Sequence, residues 1–321
     1  MMSTASSFVQ SLGRKRVLLV GDTIVDIYVF GHALGKSNET PTIVAKELET
    51  KFSLGGAFLV ARNMLELGAK VSFLTMIGND EEGQCVKDFR HERMHKLLVC
   101  DPSRRTTSKK RFWVDGYKLL QFDNLDNRPL PENLQKSAAA QIQEVIHEHD
   151  QVVIADYRHG LLSAALIESI LQMAKDARKR VFVDSQVSQS EANHLQYYGA
   201  DAFCLNLREA QAIDPEFAPG DQLSRFDQLR RKLGSEEVIV KLGEEGCIAA
   251  IGGRFYRSSA LKVNAVDTCG AGDAFFAAVT LGDLEDPAES LRVANTWAGL
   301  AVQIHGTEPA AREELLRLMT N

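Results

Sequence analysis

The stretch Asp267-Thr268-Cys269-Gly270-Ala271-Gly272-Asp273 sets three small residues directly before an acid, and an apolar run from Ala274 to Val279 follows at once. A helix that begins there exposes unpaired backbone N–H groups carrying partial positive charge. With only Gly270, Ala271 and Gly272 at the turn, an anion can approach those amides unobstructed. Asp273 then lies in the first helical turn, within reach of whatever the amides hold. A carboxylate that accepts a proton beside a site stabilising negative charge suits phosphoryl transfer. The same residues also serve a simpler end, because an acid in the first turn stabilises a helix and glycines permit tight turns. No Lys-Ser or Lys-Thr follows these glycines and no third glycine stands at dinucleotide spacing, so neither common nucleotide-loop pattern applies.

The elements that must position this turn are those of an α/β chain. Short β-branched runs at 16–22, 71–80, 151–157, 180–185, 201–206 and 237–243 read as buried strands, most of them ending in Asp, Asn or Gly. Helical patterns lie between them, at 57–67, 132–149, 163–178, 208–213, 222–233, 272–282 and 287–304. Such alternation predicts a mostly parallel central sheet covered by helices on both faces, with ligands beyond the carboxyl ends of its strands. Two segments, 27–54 and 105–126, break the alternation and read as strand pairs without a helix, the second with an Asp-Gly hairpin signal at Asp115-Gly116. They form either a small lid over the main sheet or two surface hairpins. The N-terminal dozen residues and the last few are expected to be loosely held.

Composition narrows the class. The 321 residues are 45% hydrophobic and 25% charged, enough for one large α/β domain. A net charge of −6 argues against a nucleic-acid or anionic-membrane partner. Five widely spaced cysteines with no CxxC pair argue against a disulfide framework or a zinc knuckle. With no apolar run of membrane-spanning length and no signal-like N-terminus, the expectation is a soluble, cytoplasmic protein.

Asp267 to Ala278, DTCGAGDAFFAA, closely resembles the C-terminal signature D-T-x-G-A-G-D-x-F of the ribokinase-like (PfkB) carbohydrate kinases. The resemblance runs from about residue 15 to 309, with GDTIVDIYVFG, SLGGAFLVARNMLELGA, VVIADYRHGLL, NLREAQ, VKLGEEG and ANTWAGLAVQIHGT in the family's order. Within the family, TTSKKRFWVDGYKLLQFD is similar to the kinase half of the heptose-7-phosphate kinases of lipopolysaccharide precursor synthesis. The resemblance implies a single ribokinase-like domain over 1–321, a three-layer α/β sandwich with a small β lid. It implies phosphorylation of a sugar or sugar phosphate by ATP with Mg²⁺, in a homodimer joined through the lid.

Residue by residue, the resemblance makes Asp273 the catalytic base and Gly270, Ala271 and Gly272 the anion hole. Asn206 and Glu209 match an element linked to Mg²⁺ through water, although Asn followed by Glu three residues later is also a capping box. Lys241, Gly243, Gly246 and Asn295 fall on the nucleotide side. Asp26, Gly55 and Gly56 fall on the sugar side, with Lys109 and Arg111 on the lid near the sugar and its phosphate. Arg104, Arg105, Lys109, Lys110 and Arg111 together suit a phosphorylated substrate, or else form a solvated hairpin face.

Three stretches depart from the family pattern. Leu59 replaces an Asn that hydrogen-bonds the sugar, and Asn63, one turn further on, is the residue that could compensate. Arg158 and His159 replace Gly-Lys, and Ser185-Gln186 replaces Pro-Lys. The nucleotidyltransferase half often fused in the heptose branch is not expected, because no HxGH motif occurs. The alternatives are a kinase for another sugar or a nucleoside, and a non-catalytic sensor of sugar or nucleotide; substrate-dependent ADP release separates them.

Overall fold

The computed structural model describes residues 4–186, 192–220, 222–282, 284 and 286–320. In chain order the elements are α1 (Thr4–Leu12), β1 (Arg16–Gly21), β2 (Thr23–Lys36), β3 (Ile43–Gly56), α2 (Ala57–Glu66), β4 (Lys70–Ile77), α3 (Glu81–Asp88), β5 (Met94–Cys100), β6 (Ser108–Val114) and β7 (Tyr117–Asn124). There follow α4 (Glu132–Val145), β8 (Gln151–Asp156), α5 (Ala164–Asp176), β9 (Arg180–Ser185), β10 (Ala202–Asn206), α6 (Leu207–Ile213), α7 (Asp227–Leu233), β11 (Glu237–Lys241), β12 (Cys247–Ile251), β13 (Arg254–Ser258), α8 (Ala271–Leu281), α9 (Pro287–Ala301) and α10 (Arg312–Thr320).

Nine strands form the central sheet in the order β13-β12-β11-β10-β9-β8-β1-β4-β5. Its pairings are parallel from β5 across to β11, and antiparallel only at β11–β12 and β12–β13. The apolar run of β1 shows why the sheet lies in the middle. Val17 and Leu19 pack into one core with α2, α8 and α9, while Leu18 and Val20 pack into a second core with α4, α5 and α7. All four side chains are fully buried, as the strict alternation of a strand covered on both faces requires.

The two helix-free segments build one separate four-stranded sheet, ordered β3-β2-β6-β7. Its β6–β7 hairpin turns at Asp115-Gly116, both at positive φ (48° and 82°), where Asp115 accepts from the Ala33 N–H and pairs with His32. Asp22 alone separates β1 of the central sheet from β2 of the small one.

The chain ends are not loose in the described part. Val9 and Leu12 of α1 are fully buried, and α1 packs against α9 and α10. This corrects the expectation for the N-terminus: Phe8, Val9 and Leu12 give that short helix an apolar face, which the core accepts.

Candidate active site

The carboxyl ends of β8, β9, β10 and β11 meet the start of α8. Gly270, the N-cap of α8, has a left-handed backbone (φ 81°) and no side-chain cap. A Cβ at Gly270 would stand 2.6 Å from Leu59 Cδ2, so both conformation and space demand glycine. The Ala271 N–H turns back to the Thr268 carbonyl (3.3 Å). A Cβ on Gly272 would lie 3.7 Å from Lys241 Nζ, which places the ammonium group beside the turn. A helix N-terminus and a fixed cation therefore face the same small volume.

Asp273 lies in the first turn of α8, and the Tyr157 hydroxyl donates to its Oδ1. The residue keeps a partial opening to solvent, yet protein encloses its carboxyl closely. Burial raises its pKa to about 7; the Tyr157 hydrogen bond and Lys241 oppose the rise, while Asp184 and Asp26 add to it. That value suits a general base working near neutral pH.

Lys241 ends β11, and its Nζ lies 2.5 Å from Asp184 Oδ2 at the end of β9. Burial pulls the ammonium pKa down, but Asp184, then Cys204 and Glu209, more than offset this and leave it raised. Next to it Asn206 and Glu209 form a complete capping box: Asn206 Oδ1 accepts from the Glu209 N–H (2.9 Å), and Glu209 Oε2 accepts from the Asn206 N–H (2.7 Å). Burial, reinforced by Asp184, raises the Glu209 carboxyl to about 7. Among the described residues no cluster of three or more His, Cys, Asp and Glu side chains could hold a metal ion. The oxygens of Asn206, Glu209 and Asp184 nevertheless form a hard donor set of the kind that suits Mg²⁺ held largely by water and phosphate.

The small sheet brings its charged face to the same place. Arg111 Nη1 donates to Asp26 Oδ1 at 2.5 Å, and its guanidinium lies 5.3 Å from the centre of the Tyr28 ring. Asp26 is 4% exposed; burial raises its pKa, with Arg111 and Lys109 opposing. Gly55 makes room for it, since a Cβ there would stand 2.5 Å from Asp26 Oδ2. Gly56 caps α2 beside it. Lys109 pairs with Asp26 in the β2–β6 register and shares a face with Arg111.

Several expected residues have other employment. Asn63 is 1% exposed; it donates to the Leu59 carbonyl (2.8 Å) and accepts from Trp297 Nε1 (2.8 Å). Its amide is committed inside the core, so it does not compensate for Leu59, which is itself buried under the Gly270 turn. Asn295 is also internal, donating to Cys247 Sγ (3.3 Å) and the Ser258 carbonyl (3.1 Å), and thereby ties α9 to β12 and β13. Gly243 and Gly246 bracket the tight turn from β11 to β12, both at positive φ. Arg104 is 8% exposed, bonded to Asp101 and to the carbonyls of Arg128 and Pro129, and Arg105 bonds Glu82. Neither belongs to the charged face of the small sheet. His159 stands where the family pattern has a lysine but brings no such cation, because burial and then Lys109 push its pKa down to about 4.

Two participants escaped the sequence reading: Tyr157, and Asp184 as partner of Lys241. Both stand at strand ends, the only signal that could have found them.

The family model for pfkB carbohydrate kinases matches residues 14–314, and the chain belongs to that family. It is similar to the bifunctional protein HldE of Rhodopseudomonas palustris strain BisB5, 32% identical over 98% of this chain and 66% of that protein. Its identity to the bifunctional protein HldE of Bradyrhizobium diazoefficiens is 31%, over 96% of this chain and 63% of that protein. The chain thus spans slightly less than two thirds of the length of these relatives. Among solved structures, the fold matches Arabidopsis thaliana ribokinase complexed with ribose and ATP (TM-score 0.71, 22% identity, 96% of this chain and 99% of that one). It also matches Escherichia coli phosphofructokinase-2 in complex with potassium (TM-score 0.74, 18% identity, 96% and 99%). The protein is a carbohydrate kinase of the ribokinase-like fold.

Proposed function

We propose that the chain transfers the γ-phosphoryl group of ATP to a hydroxyl of a phosphorylated sugar, heptose 7-phosphate being taken to the 1,7-bisphosphate. The observation that carries the reading is Asp273, a carboxyl half-ionised near pH 7 in the first turn of a helix whose glycine turn faces Lys241. Asp273 accepts the proton of the attacking hydroxyl, while the α8 amides and Lys241 face the charge that develops on the phosphoryl group. Mg²⁺, when bound, neutralises phosphate charge; Asn206, Glu209 and Asp184 are the residues that would hold it, chiefly through water.

Asp26 and Arg111 hold the sugar from the small sheet, which serves as a lid that excludes water. Lys109 offers a cation to the phosphate already present. The likeness to the HldE proteins and the heptose-branch character of residues 106–123 support the substrate. The opposite face of the small sheet carries Phe112, Leu120 and Phe122, with Phe122 61% exposed, and supports a homodimer formed through the lids. The expected setting is the cytoplasm, where the free cysteines stay reduced.

A second reading keeps the chemistry and changes the sugar. Leu59 favours it, since a buried leucine offers no hydrogen bond where the family has an amide. ADP release with ATP and Mg²⁺ across a panel of sugars and sugar phosphates tests both, with Asp273→Asn in parallel. Turnover with heptose 7-phosphate that is lost in the variant supports the first. Turnover only with another sugar selects the second, and ATP binding without any turnover overturns both in favour of a sensor.

A further inference from the structure

Tyr157 is the first residue beyond β8, and its hydroxyl reaches across 116 sequence positions to Asp273. The turn that carries it is fastened unusually well. Asp22, 2% exposed, accepts from the backbone N–H groups of Tyr157 (3.1 Å) and His159 (3.1 Å) through Oδ2, and from Leu161 (3.3 Å) through Oδ1. Asp156, also 2% exposed, accepts from the Arg158 N–H (2.8 Å) through Oδ1. Its Oδ2 accepts from the Asn193 amide, the Tyr197 hydroxyl and the Ser185 hydroxyl. Arg158, between them, has a left-handed backbone at φ 63°.

Burying two neighbouring carboxylates costs stability, and a left-handed arginine adds strain. Burial, and then the charge of Asp156, raise the Asp22 carboxyl to about 7, which is the mark of that cost. The turn so held presents the Tyr157 hydroxyl to the carboxyl of Asp273. With Oδ1 engaged, the other oxygen, Oδ2, is the one that faces Gly270, 3.9 Å from where a Cβ would stand.

We propose that Tyr157 is a positioning residue for Asp273, fixing Oδ1 so that Oδ2 faces the glycine turn, and that Asp22 holds Tyr157 in place by clasping the backbone of residues 157–161. The proposal rests on the reading of Asp273 as the base. The groups that bear on Asp273 are Tyr157 after β8, Asp184 on β9, Lys241 on β11, Asp26 on β2 and Cys269 before α8. Of these only Tyr157 and Lys241 favour its ionised form. Removing the Tyr157 hydroxyl therefore makes Asp273 harder to ionise, whereas a merely structural tyrosine would leave its titration where it is.

The test is made on the full chain with Tyr157→Phe, Asp22→Asn and Asp273→Asn. Carboxyl-¹³C NMR of labelled aspartates, with Asp273→Asn giving the assignment, follows the titration without any substrate. ADP release with heptose 7-phosphate, or with whichever sugar of the panel turns over, follows kcat and KM against pH. In folded Tyr157→Phe, the Asp273 midpoint and the acid limb of kcat are expected to move up by about one pH unit. The accompanying kcat loss at neutral pH is about 10- to 100-fold, with KM little changed, and part of it returns at higher pH. Asp22→Asn is expected to shift the Asp273 midpoint in the same direction. An unmoved midpoint in folded Tyr157→Phe, or an effect on KM alone, overturns the positioning role and leaves the base reading standing. A native midpoint and native kcat in Asp22→Asn overturn the clasp. Full turnover by Asp273→Asn overturns the base reading and this proposal with it.

Discussion

Lys241 Nζ and Asp184 Oδ2 meet at 2.5 Å although their strands, β11 and β9, are separated in the sheet by β10. The pair spans the carboxyl end of the strand that delivers Asn206, and so draws the cation, the capping box and the start of α8 into one corner. Both side chains are largely sheltered, at 16% and 18% exposure, so neither tolerates loss of the other. Lys241→Met and Asp184→Asn are each expected to destabilise the fold by roughly 2–3 kcal/mol. The double variant should be less harmed than the sum of the two by about 1–3 kcal/mol in urea unfolding. Strict additivity would show that the contact carries no coupling.

Asp273→Asn keeps the shape of the first turn and removes the proposed proton acceptor. It is expected to lower kcat by about 10²–10⁴-fold while the thermal midpoint stays level or rises. Steady-state ADP release and a melting curve on the same sample check both halves.

The pH dependence has a definite sign. Asp273 titrates near 7 when folded and near 3.8 ordinarily, so the folded chain holds its proton more tightly than the unfolded chain. The stability linked to this proton is fully present below pH 4 and is lost as pH rises through 7. With Asp273 as the proposed base, activity is expected to run the other way, because the base must be ionised. Compared across pH 4 to 8, Asp273→Asn should therefore gain on the native chain by about 1–2 kcal/mol, a figure reduced for the partial solvent opening. Parallel stability curves for the two proteins would contradict the shifted carboxyl.

On the small sheet, residues 110 and 111 point to opposite faces. Arg111→Ala strands the buried Asp26 carboxylate and is expected to raise KM for the sugar about 10- to 100-fold. Lys110→Ala, on the apolar face, should leave KM within about twofold. Equal effects from the two would mean that the charged face does not meet substrate.

Phe122→Lys places a charge in the exposed apolar patch of the small sheet. The native protein is expected to sediment as a dimer and the variant as a monomer, with lowered turnover if the lids support each other across the interface. A native protein that is monomeric at micromolar concentration would remove that interface.

Sequence patterns and structure agree best where a pattern is local. The run Val17–Val20, the Asp-Gly turn at 115–116 and the small-residue approach to Asp273 each carry their reason within a few residues. Asn63 shows where such reasoning stops. Helical periodicity placed it on the face of Leu59, correctly, but could not tell that this face meets Trp297, 234 positions away, rather than a cavity. Arg104 looked like one more cation in a basic run until Asp101 and two carbonyls from 128–129 closed around it. Tyr157 was invisible for the same reason, because its meaning lies in a contact with a distant helix. Asn206 and Glu209, by contrast, are legible from their spacing alone as a capping box, and both of its hydrogen bonds are present.

The single-residue passage from β1 to β2 has a mechanical consequence. Thr23 is pinned at once to Thr75, its N–H and hydroxyl at 3.1 and 2.8 Å from Thr75 Oγ1, so the first strand of the small sheet leaves the large one with no slack. The residue at that passage is Asp22, whose carboxyl also accepts from the backbone N–H of Tyr157. The strand that enters the small sheet and the segment that carries the Tyr157 hydroxyl to Asp273 thus depend on one and the same residue.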